Sequence, residues 1–270
     1  MSKVLPTVAI AGAAGRMGRS LVELGQRASE LRLVAAFEAA GHPLLGQDVG
    51  AIAGIGPIGI PLASDAALAD TPFEVLIDFT TVEASLAHLE ACVETGRRVV
   101  LGTTGFGERR AQIDAAARRI GLVFAPNMSV GVNLCFKLLQ LAARVLGEDF
   151  DVEIIEAHHR HKVDAPSGTA VRMGEILAAE LGRDLASCAV YGRQGHTGPR
   201  DRRTIGFETI RAGEIVGDHT VLFAGAGEVV EITHRAANRA TFAGGALRAA
   251  AWLADRGPGC YDMQDVLGLR

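Results

Sequence analysis

The sequence predicts a two-domain α/β protein in which a doubly wound parallel sheet precedes a smaller α+β domain. Three observations support this architecture. Short apolar runs alternate with helix-like segments up to about residue 125, a glycine-rich turn follows the first run, and strand-like segments dominate after about residue 130. With 270 residues, the chain is long enough for two modest domains, each with its own hydrophobic core.

The first half of the chain alternates between buried strands and helices. Short continuous apolar runs such as Val8–Ala11 are typical of strands that are covered on both faces. Residues 41–62 are rich in glycine and show little periodicity, so they predict loops with a short turn. Strands are predicted at 8–11, 31–38, 73–80, 98–102 and 122–125, and helices at 16–27, 82–95 and 109–120. This alternation predicts a Rossmann-like, doubly wound parallel sheet.

The second half predicts a different domain. Helices are predicted at 132–146 and 169–181, and strands at 152–156, 204–211, 214–223 and 228–234. The pair Ala212–Gly213 between two of these strands predicts a hairpin turn. The segments together predict a central α+β domain with a mostly antiparallel, open-faced sheet. A last helix at 240–254 is expected to return to the first domain, so that residues 1–129 and 238–270 form one domain and 130–237 the other.

The overall composition argues against nucleic-acid and membrane partners. The formal net charge is −4 and 5% of the residues are aromatic, so the chain offers neither a strong positive field nor many stacking platforms. No run approaches about eighteen uninterrupted apolar residues, which predicts that no segment spans a membrane. The four cysteines form no CxxC pair, and the N-terminus lacks the apolar core of a signal peptide. These features predict reduced thiols and a cytoplasmic protein.

A glycine-rich turn lies between the first predicted strand and helix. Its glycines, Gly12, Gly15 and Gly18, follow a GxxGxxG spacing that is a variant of the usual dinucleotide fingerprint. Glycine lets backbone N–H groups approach a pyrophosphate, which the helix N-terminus stabilises. Glu38 follows Gly18 by 20 residues and ends the second strand, where an acid can bond the adenosine ribose. A glycine turn alone often marks only a tight bend, but strand, turn, helix, strand and acid in this order favour a dinucleotide site.

Three further loops follow predicted strands at the carboxyl edge of the sheet, where open α/β sheets bind ligands. They span 78–81, 102–105 and 125–128. Any one of them alone is equally typical of an ordinary strand–helix connection. The acid at Glu38 favours the free 2′-hydroxyl of NADH and repels a 2′-phosphate. Ala39 supplies no base beside it, which leaves Arg16 as the candidate cation for a phosphate. NADH is therefore predicted as the preferred cofactor, with NADPH as the alternative.

The densest cluster of titratable residues lies in the stretch 156–170. Five consecutive positions hold three histidines, an arginine and a lysine, namely His158, His159, Arg160, His161 and Lys162. If the preceding strand continues through them, His158 and Arg160 face one side and the other two histidines face the opposite side. Ser167–Thr169 then add hydroxyl and N–H groups at the start of a helix, a second device for binding an anion. Because histidine titrates near pH ~6.5, the cluster is suited to holding a carboxylated substrate beside an acid.

Two other interpretations of this cluster stay open. A metal site would use His158, His159 and His161, but the interleaved cations oppose a divalent ion and no cysteine or aspartate joins them closely. A solvated basic loop without a function is the second. An anion site that follows a nucleotide domain is favoured over both, and no metal is predicted.

Five stretches of the chain indicate a family. They are VAIAGAAGRMG at 8–18, IDFT at 77–80, GTTG at 102–105, NMSVGVN at 127–133 and, most specific of all, EAHHRHKVDAPSGTA at 156–170. Over nearly its whole length the chain resembles the 4-hydroxy-tetrahydrodipicolinate reductases, also called dihydrodipicolinate reductases. The resemblance implies NAD(P)H-dependent reduction of 4-hydroxy-tetrahydrodipicolinate, through its dehydrated cyclic imine, to tetrahydrodipicolinate in diaminopimelate and lysine biosynthesis. It also implies a homotetramer and a central substrate domain that closes on the nucleotide domain.

By motif, the resemblance implies roles for individual residues. His158 would be the general acid and Lys162 its partner at the developing enamine. The carboxylates of the substrate, a small dicarboxylate, would be bound by His159, Gly168 and Thr169. The cofactor would be held by Gly12, Ala13, Ala14, Gly15, Arg16, Met17, Glu38, Gly102, Thr103, Thr104, Ala125, Pro126, Asn127 and Met128. Ala39 departs from several relatives, which carry a basic residue there that helps to hold the NADPH phosphate.

Two other functions share parts of this pattern. A catalytically silent NAD-sensing protein would keep the first domain, but the intact His158 and Lys162 argue against it. A reductase of an open-chain aldehyde or keto acid would also keep that domain, but it would not need this dicationic cluster.

Overall fold

The computed structural model describes residues 4–270. The chain divides into two compact units. The first comprises the chain up to Val130 together with Arg239–Arg270, and the second is Gly131–Asn238. The chain therefore leaves the first unit once and returns to it once.

Strands and helices alternate through most of the first unit, and the bounds of the elements in both units are as follows. Within residues 4–270 the strands are β1 (Thr7–Ala11), β2 (Arg32–Glu38), β3 (Leu62–Ser64), β4 (Val75–Asp78), β5 (Arg98–Leu101), β6 (Gly121–Phe124), β7 (Asp151–His158), β8 (Ala189–Tyr191), β9 (Ile205–Arg211), β10 (Asp218–Ala224), β11 (Val229–Arg235) and β12 (Gly259–Tyr261). The α-helices are α1 (Arg16–Arg27), α2 (Val49–Ala53), α3 (Val82–Thr95), α4 (Arg110–Ala117), α5 (Val130–Leu146), α6 (Gly168–Glu180), α7 (Leu185–Cys188), α8 (Ala240–Leu253) and α9 (Met263–Leu267).

The sheet of the first unit is parallel throughout, in the order β12-β6-β5-β4-β1-β2-β3. The order reverses between β1 and β4, which is the point where open α/β sheets bind their ligands. All four residues of β4 are buried, as expected of a strand with helices on both faces. Helices α1 and α8 belong to the core on one face, and α3 and α4 to the core on the other. The predicted doubly wound parallel sheet is confirmed.

Local signals explain where the main helices of this unit begin and end. The side chain of Thr81 accepts a hydrogen bond from the N–H of Ala84 and so satisfies a free donor in the first turn of α3. At the other end Gly96 has a φ of 69°, a left-handed conformation that glycine adopts without a steric penalty. The predicted bounds of α3 (82–95) and α1 (16–27) are confirmed.

The glycine-rich region at 41–62 contains more regular structure than predicted. The carboxylate of Asp48 accepts hydrogen bonds from N–H groups in the first turn of α2 and from Ile58 and Gly59. A single side chain thus organises a loop whose sequence has no periodicity. Strand β3 adds an edge to the sheet, and β12 and α9 follow the last predicted helix. These segments escaped prediction because they are too short to show a periodic pattern.

The second unit contains a five-stranded sheet in the order β11-β10-β7-β9-β8. Strand β7 pairs antiparallel with β10 and parallel with β9, so the sheet is mixed and not mostly antiparallel. The predicted hairpin at Ala212–Gly213 is wrong because β7 lies between β9 and β10. The backbone of this pair instead bonds to the chain at the end of β7. The N–H of Ala212 donates to the carbonyl of His158, and the carbonyl of Gly213 accepts from the N–H of Arg160.

One face of this mixed sheet is covered and the other is open. Side chains of β7 and β9 such as Val152, Ile154 and Phe207 pack in a core with α5 and α6. Alternate residues point to the other face, where Ile210 is 46% exposed and Val229 is 56% exposed. The open face that the sequence predicted is present.

Helix α5 is longer than the other helices of the described residues, and it is apolar on average. By length and composition alone, the segment Val130–Asp149 would suffice to cross a membrane, although the sequence predicted no such segment. The prediction counted uninterrupted apolar runs, whereas average hydropathy tolerates scattered polar residues. In the structure Val132, Phe136 and Leu139 of this helix pack in the core of the second unit. One face of α5 thus packs in the core, whereas Leu141 and Val145 on the rest of the helix are 56% and 72% exposed.

Candidate active site

The glycine-rich turn of the first unit requires glycine at two of its positions. Gly12 has a φ of 67°, and a Cβ there would lie 2.8 Å from the methyl group of Thr80. A Cβ on Gly18 would collide with the carbonyl oxygen of Gly12. The turn closes through a 3.0 Å hydrogen bond from the N–H of Gly15 to the Gly12 carbonyl. Because the glycines of this turn carry no side chains, a pyrophosphate has access to the N-terminus of α1.

Glu38 reaches back to this turn from the end of β2. Its Oε2 accepts a 3.2 Å hydrogen bond from the N–H of Ala14, and its Oε1 accepts from the N–H of Ala39. The carboxylate therefore lies beside the turn, which is the arrangement in which an acid meets the adenosine ribose of a dinucleotide. Ala39 itself is exposed and carries no charge.

A cavity of about 330 Å³ opens beside the turn. It is lined by Gly12, Gly15, Arg16, Met17, Gly18, Phe79 and Arg239. The two guanidinium groups suit the phosphates of a dinucleotide, so the residues present fit that group. Sequence reasoning missed Arg239. Its signal was a cation directly before the predicted last helix, in the segment expected to return to the first domain.

The other predicted cofactor residues lie at the carboxyl ends of β5 and β6. Four predicted cofactor residues, two in the glycine turn and two after β6, have buried apolar side chains that leave only the backbone for a ligand, namely Ala13, Ala14, Ala125 and Met128. Met128 is 1% exposed and packs in the same core as α8. The side chain of Asn127 is already committed to the N–H of Ser129, at 2.9 Å. Thr103 is buried, whereas Thr104 and Pro126 are exposed.

In the second unit, the histidine cluster is a turn and not an extension of the strand. Strand β7 ends at His158, and the N–H of Lys162 donates to the carbonyl of His159 at 3.1 Å. The predicted alternation of faces through residues 158–162 is therefore wrong. It failed because the paired strands β7 and β9 end at His158 and Arg211, and the chain turns directly after them.

Glu156 is the electrostatic centre of this cluster. Residues i and i+2 of a strand share a face, and Glu156 Oε2 accordingly lies 2.6 Å from Nδ1 of His158. Arg211 donates to both carboxylate oxygens at 2.8 Å, and the N–H of Ser167 donates at 3.0 Å. Burial alone would raise the pKa of Glu156, but the hydrogen bonds from Arg211 and His158 lower it below its ordinary value. The carboxylate, 1% exposed, is therefore ionised.

The ring of His158 is oriented by that carboxylate. Because ionised Glu156 can only accept, Nδ1 of His158 carries the hydrogen and Nε2 is left for another partner. Nε2 lies against the backbone of Gly217, where a Cβ would approach it to 3.0 Å. Burial lowers the pKa of His158, while Glu156 opposes the shift and Lys162 adds to it.

A second histidine, His219, lies beside the first. The two rings meet edge to face with centroids 5.1 Å apart. His219 Nε2 is 2.9 Å from the hydroxyl of Ser167. Burial, with a contribution from His158, lowers the pKa of His219 to about 3, so this ring is neutral at cellular pH. Sequence reasoning did not select His219, since the contact depends on the pairing of β10 with β7.

Lys162 is paired with an acid that the sequence analysis had not selected. Its ammonium lies 2.8 Å from Oδ1 of Asp164, and this hydrogen bond lowers the pKa of the aspartate. The helix expected after Ser167 is present. Ser167 caps α6 by accepting from the N–H of Ala170, so the N–H groups of Gly168 and Thr169 begin the helix. Within residues 4–270, no group of three metal-ligating side chains is close enough to hold an ion.

Family comparisons match the two units in turn. The family described as dihydrodipicolinate reductase, N-terminus, matches residues 6–128, and the family described as dihydrodipicolinate reductase, C-terminus, matches residues 131–267. The chain belongs to the dihydrodipicolinate reductase family. The resemblance drawn from the five sequence stretches is confirmed, and the Rossmann-type unit of this reductase implies a pyridine nucleotide cofactor.

Individual relatives agree. A 4-hydroxy-tetrahydrodipicolinate reductase from Alkalilimnicola ehrlichii is 62% identical over 263 residues, covering 97% of this chain and 98% of the relative. One from Methylococcus capsulatus is 58% identical over 262 residues, with 97% of each chain covered. The solved structure of a dipicolinate-bound dihydrodipicolinate reductase from Paenisporosarcina is 25% identical with a TM-score of 0.75, covering 97% of this chain and 99% of that one. An amine dehydrogenase from Mycobacterium smegmatis, 14% identical with a TM-score of 0.60 over 96% of this chain and 95% of that one, shares the fold alone.

Proposed function

We propose that this reductase converts 4-hydroxy-tetrahydrodipicolinate to tetrahydrodipicolinate in diaminopimelate and lysine biosynthesis. The substrate would react as the cyclic, conjugated imine that forms when it loses water. The observation that carries the proposal is the Glu156–His158 pair, which holds a proton donor beside the N-terminus of α6. The names of the 62% and 58% identical relatives support the substrate.

The cofactor belongs to the first unit in this proposal, so that residues 1–129 and 238–270 form the dinucleotide-binding domain. When bound, a reduced nicotinamide supplies the hydride. The residues that hold it are Gly12, Ala13, Ala14, Gly15, Arg16, Met17, Glu38, Gly102, Thr103, Thr104, Ala125, Pro126, Asn127 and Met128. Arg239 joins this set, because it lines the same cavity as Arg16.

NADH is the preferred cofactor in this proposal. Glu38 accepts hydrogen bonds at the edge of the turn and would accept equally from the ribose 2′-hydroxyl, whereas a 2′-phosphate would meet a like charge. NADPH remains the second cofactor in this proposal, because the exposed guanidinium of Arg16 at the same turn could pair with a 2′-phosphate.

The substrate belongs to the second unit. His159 and the N–H groups of Gly168 and Thr169 would bind its carboxylates, because a helix N-terminus stabilises an anion. The solved relative bound to dipicolinate, itself a dicarboxylate, supports this class of ligand.

His158 acts as the general acid. Hydride addition to the conjugated imine leaves an enamine, and a proton must then reach the ring carbon next to the imine. Glu156 accepts from Nδ1 of His158 and favours the doubly protonated ring, so it is Nε2 of that charged ring that donates the proton and leaves His158 neutral. Lys162 acts as the partner of His158. Its ammonium stabilises the negative charge that develops on the enamine.

Assembly and location complete the proposal. The domain formed by residues 130–237 would bind substrate and also form a homotetramer in the cytoplasm. Exposed apolar residues on the uncovered sheet face, such as Ile210 and Val229, support that face as the contact surface. Light scattering of the purified protein in solution measures the assembly directly, and a monomeric mass would contradict it.

The activity is tested with substrate made in situ from pyruvate and aspartate semialdehyde by the preceding synthase. Oxidation of NADH and NADPH is followed at matched concentrations, with a synthase-only reaction as the control. Rapid oxidation that depends on this chain is expected, with a higher kcat/KM for NADH. If NADH binds but is not oxidised, the nucleotide site stands and the substrate assignment falls.

A further inference from the structure

A buried carboxylate lies directly beneath the nucleotide turn and belongs to none of the roles above. Asp78 ends β4 at the point where the strand order reverses, and it is 0% exposed. Its Oδ1 accepts from the N–H and the hydroxyl of Thr80, at 2.8 and 2.7 Å, and from the hydroxyl of Ser85 at 3.0 Å. Its Oδ2 lies 2.8 Å from Nδ1 of His88. Burying a carboxylate is costly unless it is fully hydrogen-bonded, and this one accepts four hydrogen bonds.

His88 ties this carboxylate to helix α3. It is 7% exposed and donates from Nδ1, because the carboxylate can only accept. Its Nε2 lies 4.0 Å from a carboxylate oxygen of Asp65, which is too far for a hydrogen bond. His88 therefore holds Oδ2 of Asp78, while Thr80 and Ser85 hold Oδ1.

Ser85 extends the network to the loop after β5. Its hydroxyl, bonded to Asp78, is also 2.8 Å from the hydroxyl of Thr103. Thr103 in turn lies 3.4 Å from the carbonyl of Thr80. The loops after β4 and β5 are thus joined through side chains as well as through the strands.

The loops held in this way shape the floor of the nucleotide cavity. The methyl group of Thr80 packs on the bare backbone of Gly12, and the ring of Phe79 packs on that of Gly102, where a Cβ would have no room. Phe79 and Gly12 both line the cavity. A change in the orientation of Asp78 would therefore reach the cavity through residues that border it.

We propose that Asp78 is a positioning residue which, through His88 and Ser85, holds the loops after β4 and β5 in the shape that the cofactor requires. Asp78 is fully buried and so acts through its neighbours rather than on the cofactor itself. A buried hydrogen-bond network favours one arrangement of the groups it joins, and here those groups border the cavity. The inference rests on the proposed cofactor site but not on the proposed substrate.

The test removes the network one link at a time in the full-length protein. Ser85→Ala and Thr80→Val each delete a hydroxyl, and His88→Leu deletes the donor to Oδ2. His88→Asn is the conservative variant, because its amide nitrogen can occupy the position of Nδ1. Arg97→Met is the stability control. It removes two side-chain hydrogen bonds to the carbonyls of residues 68 and 69, at the opposite end of β5.

NADH affinity is measured by fluorescence without substrate, and thermal unfolding is recorded in parallel. Ser85→Ala, Thr80→Val and His88→Leu are each expected to raise the NADH dissociation constant about tenfold, as the loss of a hydrogen bond to a charged group predicts. In turnover the KM for NADH should rise with it while the KM for the dicarboxylate substrate stays unchanged. His88→Asn should restore the affinity of His88→Leu.

Two results would overturn the proposal. One is unchanged NADH affinity in Ser85→Ala and Thr80→Val, which are small enough changes to fold even if His88→Leu does not. The other is an equal loss of affinity in Arg97→Met, which would mean that stability alone is responsible. Because NADH binding is measured without substrate, this test stays valid even if the proposed substrate is wrong.

Discussion

The carboxylate of Glu156 lies 2.6 Å from Nδ1 of His158. The two side chains meet because residues i and i+2 of a strand lie on the same face. The same carboxylate is held by Arg211 and by the N–H of Ser167. His158, the start of α6 and the partly buried guanidinium of Arg211 are thus all hydrogen-bonded to one carboxylate. The orientation of His158 is built into the second unit itself.

The first prediction follows from this relationship. Glu156→Gln keeps the shape of the side chain but removes the negative charge that favours protonated His158. We expect kcat to fall about 10²-fold, because the general acid loses both its orientation and part of its charge stabilisation. Steady-state turnover at saturating NADH measures the effect.

The control for Glu156→Gln is Glu180→Gln. Glu180 also pairs with an arginine in the second unit, Arg144, at 3.1 Å, but it has no contact with His158 in the described structure. Its kcat should stay within about twofold of the wild type, as expected for a surface ion pair. Equal losses in the two variants would remove Glu156 from the chemistry.

The second prediction concerns the acid and its partner. His158→Gln and Lys162→Met should each lower kcat by ~10² or more while the fold survives, because each removes either the proton donor or the cation at the enamine. Direct NADH binding should be unchanged, since the cofactor residues belong to the other unit. Near-normal turnover in either variant would exclude that residue from the reaction.

The sequence predicted the first unit well for a physical reason. Buried parallel strands are short, continuous apolar runs, and helix ends carry local signals such as Thr81 and Gly96. The edge strands β3 and β12 have three residues each and carry no such signal. The hairpin at Ala212–Gly213 failed because the insertion of β7 between β9 and β10 is decided by pairing across the whole sheet. No local pattern contains that information.

In the candidate site, too, residues with a local sequence signal were predicted, and residues brought in by strand pairing were not. His158 and Lys162 stood out because a run of cationic residues is visible in the sequence itself. Arg211 and His219 did not, since their approach to Glu156 depends on the register of two neighbouring strands. The local turn at 159–162 was missed because the alternation of a strand was extended past the point where its pairing ends.

The third prediction is a proton taken up on substrate binding. Burial holds the pKa of His158 below its ordinary value, with Lys162 adding to the shift, so the free ring is mostly neutral near pH ~7. A dianion bound beside it favours the charged form and raises that pKa. The profile of kcat/KM, which reports the free enzyme, should therefore fall with rising pH at a lower pH than the profile of kcat.

Calorimetry tests the proton directly. Binding of dipicolinate to the protein loaded with NADH should give different heats in phosphate and in Tris, because the two buffers release their protons with different enthalpies. His158→Gln should reduce the difference. Identical heats in both buffers for the wild type would mean that no proton is taken up.

The fourth prediction uses the backbone beside His158. Gly217 is outside the left-handed region, so alanine costs no backbone strain there, but its Cβ would lie 3.0 Å from Nε2 of His158. Gly217→Ala should lower kcat/KM about tenfold by shifting the ring away from the substrate. Gly227 belongs to the same unit and has open space around it. Gly227→Ala should therefore leave kcat/KM unchanged, and a loss in both variants would point to the backbone rather than to the ring.

The last prediction concerns cofactor choice at the end of β2. Ala39 is exposed and directly follows Glu38, whose carboxylate is bonded to the N–H of Ala14 in the glycine turn. A guanidinium at this position would lie where a 2′-phosphate approaches Glu38. Ala39→Arg should therefore raise kcat/KM for NADPH about tenfold and change that for NADH little, because an arginine–phosphate pair forms strong, charge-assisted hydrogen bonds.

Ala40→Arg is the matched control for Ala39→Arg. Ala40 is also exposed, and an arginine there would add the same charge one residue further from Glu38. If general attraction of a more negative cofactor were the cause, kcat/KM for NADPH would rise in both variants, and high salt would abolish both increases. If the position matters, only Ala39→Arg gains, and part of its gain survives salt. No gain in Ala39→Arg would mean that the 2′-phosphate does not approach Glu38, and that the NADH preference has another origin.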